Sequence, residues 1–384
     1  MSTKNLPSRP NLEQYKKQAK DLLKEIQKSD ASATMRVRAS HPRYRDERSG
    51  IREFALADAQ LVIAREHGFP SWTKFVSEIA SISLRLLAEA EGPVYAFLVA
   101  ASVPRGAWHS SGTLAQAEEL LKQHPAIPGS SIYTAAVLAD DIAVRRFLKA
   151  DPSLTTAKGG PYGWDALTYL CFSRYLRLDK ERSGGFLAAA KALLDAGANA
   201  NTGWWEENTG EDRAFWESAI YGAAGVAQHA GLTKLLLERG ANPNDEETPY
   251  HIPETKDESV LRVVLESGKM DAESMTTMLL RKADWHDREG MRMLLEAGAD
   301  PNRLTRWRNT PLHQAIRRDN AVENIELMLQ YGADFSVVTT RDNMTAFALA
   351  ARRGRGDVLR LLIRGRTTKA RRCGTADRRM RAGG

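Results

Sequence analysis

The chain has 384 residues, of which 42% are hydrophobic and 27% charged, and its formal net charge is +7 at pH 7. This composition is typical of a soluble globular protein and excludes an intrinsically disordered one. The longest apolar run, residues 94–103, is about half the length of a membrane helix, and the polar start lacks the apolar core of a secretory signal, so we expect a cytoplasmic protein without membrane contact.

The positive charge is concentrated at the two ends of the chain. Residues 1–52 carry 13 lysines and arginines against 6 acidic residues, and residues 364–384 carry 8 against 1. The long middle part is therefore net acidic, and the high isoelectric point describes the ends. Because basic segments can bind nucleic-acid phosphates, association with nucleic acid is the secondary hypothesis for function.

Apolar residues at helical spacing predict helices over residues 11–28 and 55–67, and a third helix that begins near Trp72. Residues 29–50 are polar and rich in arginine, which indicates a short helix and a loop. We expect Trp72 and Phe75 to pack this helical region onto the first unit of the array that follows. Further helices are predicted over 92–102, 113–123 and 130–149, the last one split at Asp140 and Asp141.

After residue 150 the chain repeats one pattern, an apolar helix that ends in glycine, as in LLDAGAN, LLLERGAN, MRMLLEAGAD and IELMLQYGAD. Glycine fits there because it adopts the left-handed conformation that ends many helices. These glycines are Gly197, Gly240, Gly268, Gly298, Gly332 and Gly365, and the last three lie 34 and 33 residues apart. Residues 176–185 and 203–213 are insertions into loops, and Pro253 predicts a short or absent inner helix in the unit at 248–268.

The most regular unit lies between the glycines at 298 and 332 and contains TPLHQA at residues 310–315. This hexapeptide matches the T-P-L-H-x-A signature, so the unit resembles an ankyrin repeat. Thr310 is expected to cap a helix whose first turn accepts proline. The resemblance rests on Thr310, Pro311, Leu312, His313 and Ala315, and it implies a structural hydrogen-bonding role for the histidine.

The predicted fold is an all-α ankyrin-repeat solenoid of about seven helix-turn-helix repeats, some degenerate, over residues 111–365. An N-terminal helical region at 1–110 precedes it, and a basic tail at 366–384 follows it. The sequences LEQYKKQAKDLLKEI and LADAQLVIAREHGFPSWTKFVSEI resemble a helical region that precedes ankyrin repeats in a family of bacterial proteins. This second resemblance implies no defined activity.

The tail has two interpretations. After Ile363 the apolar periodicity disappears, and no capping unit with a polar outer face is evident. The tail is either a disordered arm that contacts phosphates or the product of a shifted reading frame near Gly365 that removed further repeats.

The sequence predicts no catalytic centre, cofactor or metal. It contains no phosphate-binding, zinc-protease or nucleophile-elbow motif, and its histidines are dispersed. Cys171 lies in the apolar run ALTYLCF and is expected to be a small core residue. The cluster DWHD at 284–287 is interpreted as a turn between helices, and the ankyrin resemblance implies a structural role for His251.

Loops between ankyrin repeats project as fingers, and the resemblance implies that fingers and inner helices together hold a protein or peptide partner. Tryptophan, tyrosine and arginine often anchor such interfaces. We therefore predict a partner-binding surface on a monomeric scaffold, formed by Tyr162, Trp164, Trp204, Trp205, Trp216, Arg306, Trp307 and Arg308. The alternative is that these rings pack finger against finger.

Overall fold

The computed structural model describes residues 3–46, 53–207 and 213–363. The described residues form two compact units. One comprises residues 3–100 and 116–124, and the other comprises 101–115 and the described residues from 125 onward. The predicted boundary at residue 110 stays a prediction. The predicted tail and Gly365 lie outside the described residues.

The first unit consists of helices whose caps can be recognised in the sequence. Asn11, Asp30 and Ser71 each accept a hydrogen bond from a backbone N–H in the first turn of the helix that follows. The helices are α1 (Leu12–Gln27), α2 (Ala31–Ser40), α3 (Leu56–Glu66), α4 (Trp72–Glu91), α5 (Pro93–Ala101) and α6 (Ala115–Gln123), the last two each having one terminal residue in the second unit.

The core of the first unit is built from apolar faces of α1 to α4. The ring of Phe75 is fully buried there and meets the ring of Tyr15 edge-on, with centroids 4.9 Å apart. Trp72 packs against the same core. Both rings therefore belong to the core of the first unit, and their expected packing onto the first repeat stays a prediction.

Within its described part, the second unit contains seven successive pairs of inner and outer helices, as the ankyrin resemblance predicted. The pairs are α7 (Ile132–Val137) with α8 (Asp141–Ala150), α9 (Ala166–Cys171) with α11 (Ser183–Asp195), α12 (Ala219–Tyr221) with α13 (Ala230–Glu238), α14 (Glu247–His251) with α15 (Ser259–Glu266), α16 (Ala272–Asp284) with α17 (Arg288–Glu296), α18 (Pro311–Arg317) with α19 (Val322–Gln330), and α20 (Ala346–Arg352) with the helix at 356–363.

The repeats are irregular at the positions where the sequence predicts it. Helix α10 (Arg174–Leu178) and a 3-10 turn occupy the insertion at 176–185. Helix α14 has only five residues and runs into a 3-10 turn at Ile252–Glu254, which confirms the effect expected of Pro253. A single π-helical turn, Gly222–Val226, follows α12.

Two antiparallel hairpins interrupt the all-α pattern. The larger pairs β1 (Gly203–Glu206) with β2 (Phe215–Ser218), and the smaller pairs β3 (Val338–Thr339) with β4 (Met344–Thr345). The sequence predicted the first of these segments only as a lengthened loop. The fold class is nevertheless the predicted one.

The residues assigned to the repeat signature have the expected local roles. The hydroxyl of Thr310 accepts a hydrogen bond from the backbone N–H of His313 at 3.3 Å. Because the carbonyl of Met344 can only accept, Nε2 of His313 donates to it at 3.2 Å, and Nδ1 accepts from the Thr310 hydroxyl at 2.7 Å. Pro311 begins α18, and Leu312 and Ala315 are buried.

The predicted terminating glycines have the left-handed backbone that their position requires. The φ angles of Gly197, Gly240, Gly298 and Gly332 are 101°, 91°, 94° and 88°.

Candidate functional site

The predicted finger residues separate into a buried group and an exposed group. Trp164 and Trp204 are only 2% and 6% exposed, and their rings stack with centroids 5.0 Å apart. Tyr162 is half-buried with its ring 4.6 Å from that of Trp164. The burial of this stack favours the alternative of finger-against-finger packing for these three residues.

The first hairpin presents two chemically different faces. Trp204 pairs with Glu217 and Glu206 pairs with Phe215, so these four side chains share one face, because paired residues and alternate residues of a strand point the same way. Trp205 and Trp216 form the other face, where their rings lie 5.1 Å apart and Trp205 is 56% exposed.

The finger at residues 306–308 extends from α17 toward the same region. The guanidinium of Arg306 lies over the ring of Trp307 at 4.5 Å, and that ring lies 5.5 Å from the ring of Tyr250. Arg308 is exposed, and its positive φ of 58° forms the finger's turn. Arg306 and Trp307 line a pocket, whereas Arg308 does not.

This pocket lies within the second unit and has a volume of about 620 Å³, within the range of ordinary ligand pockets. One wall is the face of the first hairpin that carries Glu206, Phe215 and Glu217, and a second is the loop at 106–110. The inner elements α12 and α14, with the turns that follow each, form the remainder, and Arg306 and Trp307 complete the rim. Trp108 of the loop is 62% exposed.

A protonated histidine occupies one side of the pocket. Nε2 of His251 lies 3.2 Å from a carboxylate oxygen of Glu247, and Nδ1 lies 3.2 Å from one of Glu254. Burial alone would lower the pKa of His251, but these two bonds outweigh it and raise the pKa to about 9. Thus His251 is hydrogen-bonded as the resemblance implied, although its partners are carboxylates.

The buried carboxyl group of Glu217, in contrast to the ring of His251, lacks a complete set of hydrogen-bond partners among the described residues. Its side chain is almost fully buried, and within the described part of the chain its Oε2 has no hydrogen-bond partner. Burial, together with the negative charge of Glu247, raises the pKa of Glu217 to about 8. Nδ1 of His109 lies 3.8 Å from Oε2 but is 2.9 Å from the hydroxyl of Tyr221, and burial lowers the pKa of His109 to about 4.

Sequence reasoning missed most of these residues. His109 comes from a segment to which no role was assigned, and it meets Glu217 and Tyr221 only through the tertiary fold. A signal for the hairpin was present: WWE at 204–206 lies inside the insertion and FWE at 215–217 follows it, and such aromatic residues are enriched in strands.

The close pair of Ser183 and His229 and the buried Cys171 both have structural explanations. The hydroxyl of Ser183 lies 2.7 Å from Nε2 of His229, as a nucleophile and its base would. However, Nδ1 of His229 accepts the backbone N–H of Leu232 at 3.0 Å, so the ring proton is on Nε2 and His229 donates to the serine. Cys171 is buried in the core as predicted, and burial raises the pKa of its thiol far above the usual range.

The described ranges contain neither a metal-binding cluster nor a membrane-spanning helix. No group of three or more His, Cys, Asp or Glu side chains there could hold a metal ion. No helix of the same residues is long and apolar enough to cross a membrane. The cluster at 284–287 forms the turn between α16 and α17, as predicted.

Comparison with known proteins places the ankyrin signal at the C-terminal side. Residues 279–371 match the family model "Ankyrin repeats (3 copies)". The human transient receptor potential cation channel subfamily A member 1 is 31% identical over 110 residues, which cover 26% of this chain. The chain spans only 10% of the length of that relative.

Solved structures of ankyrin domains are also similar. The human ASB11 ankyrin repeat domain covers 62% of this chain and 97% of its own, at 21% identity and a TM-score of 0.44. The ankyrin repeat domain of Bcl-3, a member of the IkappaB protein family, covers 48% of this chain and 82% of its own, at 22% identity and a TM-score of 0.40.

The family match and the helix pairs identify an all-α ankyrin-repeat domain in this chain. Such repeats are in general modules of protein–protein interaction, with extended concave surfaces for binding. The bacterial resemblance of the N-terminal region and the nucleic-acid hypothesis gain no support from these comparisons and stay predictions.

Proposed function

We propose that this protein is a non-catalytic scaffold that holds a protein or peptide partner through the inner helices and finger loops of its ankyrin solenoid. The observation that carries the proposal is the open pocket of about 620 Å³ between the first hairpin, α14 and the finger at 306–308. The scaffold is proposed to act as a cytoplasmic monomer, without a cofactor.

The rim of this pocket has the composition of an interface hot spot. Trp108, which is 62% exposed, lines the pocket together with Arg306 and Trp307. Tryptophan and arginine bury a large area while keeping a polar group available, so they contribute much of the binding free energy in many complexes. The exposed ring of Trp205, beside Trp216, offers a second apolar surface on the other face of the hairpin.

A site-specific crosslinking experiment tests the proposal. A photoreactive phenylalanine analogue replaces Trp307 in the full chain, and the control carries it at Ile142, which is 78% exposed on the outer helix α8. We expect one protein to be captured from the native cytosol at position 307 and not at position 142. Equal capture at both positions would contradict a specific site.

The captured partner is then purified and its affinity measured by calorimetry. Trp307→Ala and Arg306→Ala should each weaken binding by about tenfold or more, as hot-spot truncations do, while the melting temperature changes little. Unchanged affinity in both variants would place the interface elsewhere.

A further inference from the structure

Four glutamates line the pocket, together with two arginines and two histidines. Glu206, Glu217, Glu247 and Glu254 all line it. Three of them have partners: Glu206 accepts the backbone N–H of Gly106 at 2.6 Å, and the other two bind His251. Glu254 also accepts from Arg281 at 2.8 Å.

Glu217 differs from the other three because its Oε2 is buried without a hydrogen-bond partner among the described residues. An ionised carboxylate buried without a protein donor is costly, and the raised pKa of Glu217 means that this carboxyl keeps its proton near pH 7 in the free protein. His109, the nearest basic group, is held by the Tyr221 hydroxyl and stays neutral near pH 7. The pocket thus contains a buried carboxyl oxygen that has no hydrogen-bond donor among the described residues, although His251, Arg213 and Arg306 line the same pocket.

The aromatic lining suits a cation as well. Two arginines of this chain already lie over rings at the rim: the guanidinium of Arg213 is 4.4 Å from the centre of Phe215, and that of Arg306 is 4.5 Å from Trp307. Both arginines also pair with Glu246, so part of their own charge is compensated outside the pocket. The rings of Trp108, Tyr221 and Tyr250 also line the pocket.

We propose that the pocket accepts a cationic side chain of the partner, an arginine or a lysine, whose guanidinium or ammonium group binds the carboxylate of Glu217 while its alkyl stem packs against Trp108 and Trp307. This inference rests on the proposed scaffold function and assigns the chemistry of its recognition site. Arginine fits better than lysine, because its planar group can stack on the rings and hydrogen-bond in the same pose.

Binding of a cation also displaces a proton. A positive charge beside Glu217 favours the ionised carboxylate, so binding near pH 7 releases the proton that the free protein retains there. The charged or titratable groups that surround Glu217 are Glu206 on β1, His109 in the loop, Tyr221 on α12, Asp245 before α14, and Glu247 and His251 on α14. Their charges shift the size of this proton release without reversing its sign.

The test uses the full chain and three probes: a capped glycine-rich heptapeptide with one central arginine, its citrulline analogue, and butylguanidinium. Citrulline keeps the shape but removes the charge. We expect the arginine peptide to bind about tenfold more tightly than the citrulline peptide, as charge-assisted hydrogen bonds imply. Calorimetry in two buffers of different ionisation enthalpy should show proton release at pH 7.

Nuclear magnetic resonance locates the bound peptide. The indole N–H signals of Trp108 and Trp307 should shift on titration, whereas that of Trp285, in the turn after α16, should not. Glu217→Gln should weaken peptide binding about tenfold and abolish the proton release, because the amide cannot ionise. Glu326→Gln, on the exposed side of α19, makes the same chemical change and should leave both unchanged.

Several results would overturn the inference. They are equal affinity of the arginine and citrulline peptides, unchanged affinity in Glu217→Gln, or no binding of any probe. If butylguanidinium binds as tightly as the peptide, the site serves free small cations and not a partner's side chain. The scaffold function is judged separately, since a partner captured at position 307 that binds Glu217→Gln normally would retain that function without this recognition chemistry.

Discussion

Asn302 and Asp334 connect two successive repeats through side-chain and backbone groups. The backbone N–H of Asp334 donates to Oδ1 of Asn302 over 2.6 Å, and the amide of Asn302 donates to the carbonyl of Gly332 over 2.9 Å. Asn201 and Asn244 make the same two bonds to the next loop. In each case the asparagine lies four positions after a repeat-ending glycine, so each finger is fixed to its neighbour.

Asn302→Asp should lower stability, because a carboxylate oxygen would face the carbonyl of Gly332 where an amide donor is required. We expect the free energy of unfolding to fall by about 0.5–1.5 kcal/mol, the net contribution of one hydrogen bond to an exposed group, as measured by urea denaturation. Asn5→Asp makes the same change at an exposed position and should have almost no effect. Equal losses in the two variants would contradict the assigned role.

Gly290→Ala should destabilise the protein although alanine is the better helix former. The ammonium of Lys282 is fully buried and donates to Glu258 at 2.7 Å and to Asp287 at 2.6 Å. A methyl group at position 290 would collide with the Lys282 side chain. The control is Gly184→Ala in α11, which meets no atom within 4 Å and should stabilise by roughly 0.5–1 kcal/mol. Thermal melts of both variants compare the two effects.

Trp204→Ala and Trp205→Ala should separate the two faces of the first hairpin. Trp204 is 6% exposed in the ring stack, and its loss should cost about 3–5 kcal/mol, as for other buried aromatic residues. Trp205 is 56% exposed, so its removal should change the melting temperature little. If both variants melt like the wild type, finger-against-finger packing of Trp204 is not a source of stability.

Glu217→Gln should increase stability at alkaline pH. The pKa of this carboxyl is raised from 4.5 to about 8, so the folded state holds a proton that the unfolded state releases. The wild type therefore loses stability as pH rises from 4.5 to about 8, whereas the glutamine variant does not lose this contribution. We expect a difference on the order of a few kcal/mol at pH 9 and none from this source at pH 4.

Urea denaturation across this pH range tests the prediction, with Glu326→Gln as the matched control. His109 acts in the other direction, since its pKa is lowered to about 4 and its contribution is lost as pH falls from 6.5 to 4. That acid loss should appear in the wild type and in both variants. A glutamine variant less stable than the wild type at pH 9 would show that Glu217 is ionised and compensated in the native state.

Local rules predicted the repeat framework because each signal is contained within a few residues. Thr310 and Pro311 start a helix through their own backbone geometry, and Gly332 ends the next one without help from distant residues. The asparagines that link neighbouring loops, Asn201, Asn244 and Asn302, recur at a fixed distance from the repeat-ending glycines. Their links could therefore also have been predicted from the sequence.

The pocket was less predictable because it depends on contacts between distant segments. His109 and Tyr221 lie 112 positions apart, and neither is marked by a local pattern. The burial of Trp204 also depends on Trp164 in the preceding finger. The composition of a loop does not distinguish a tryptophan that is buried from a tryptophan that lies at an interface.

The first hairpin is an insertion into the repeat period, yet it supplies a whole wall of the pocket. Since side chains on a strand alternate between faces, a one-residue shift of either strand would place a tryptophan where a glutamate now faces the pocket. A change of register in this short hairpin alone would therefore change the chemistry of the pocket wall while the helices of the array keep their sequence.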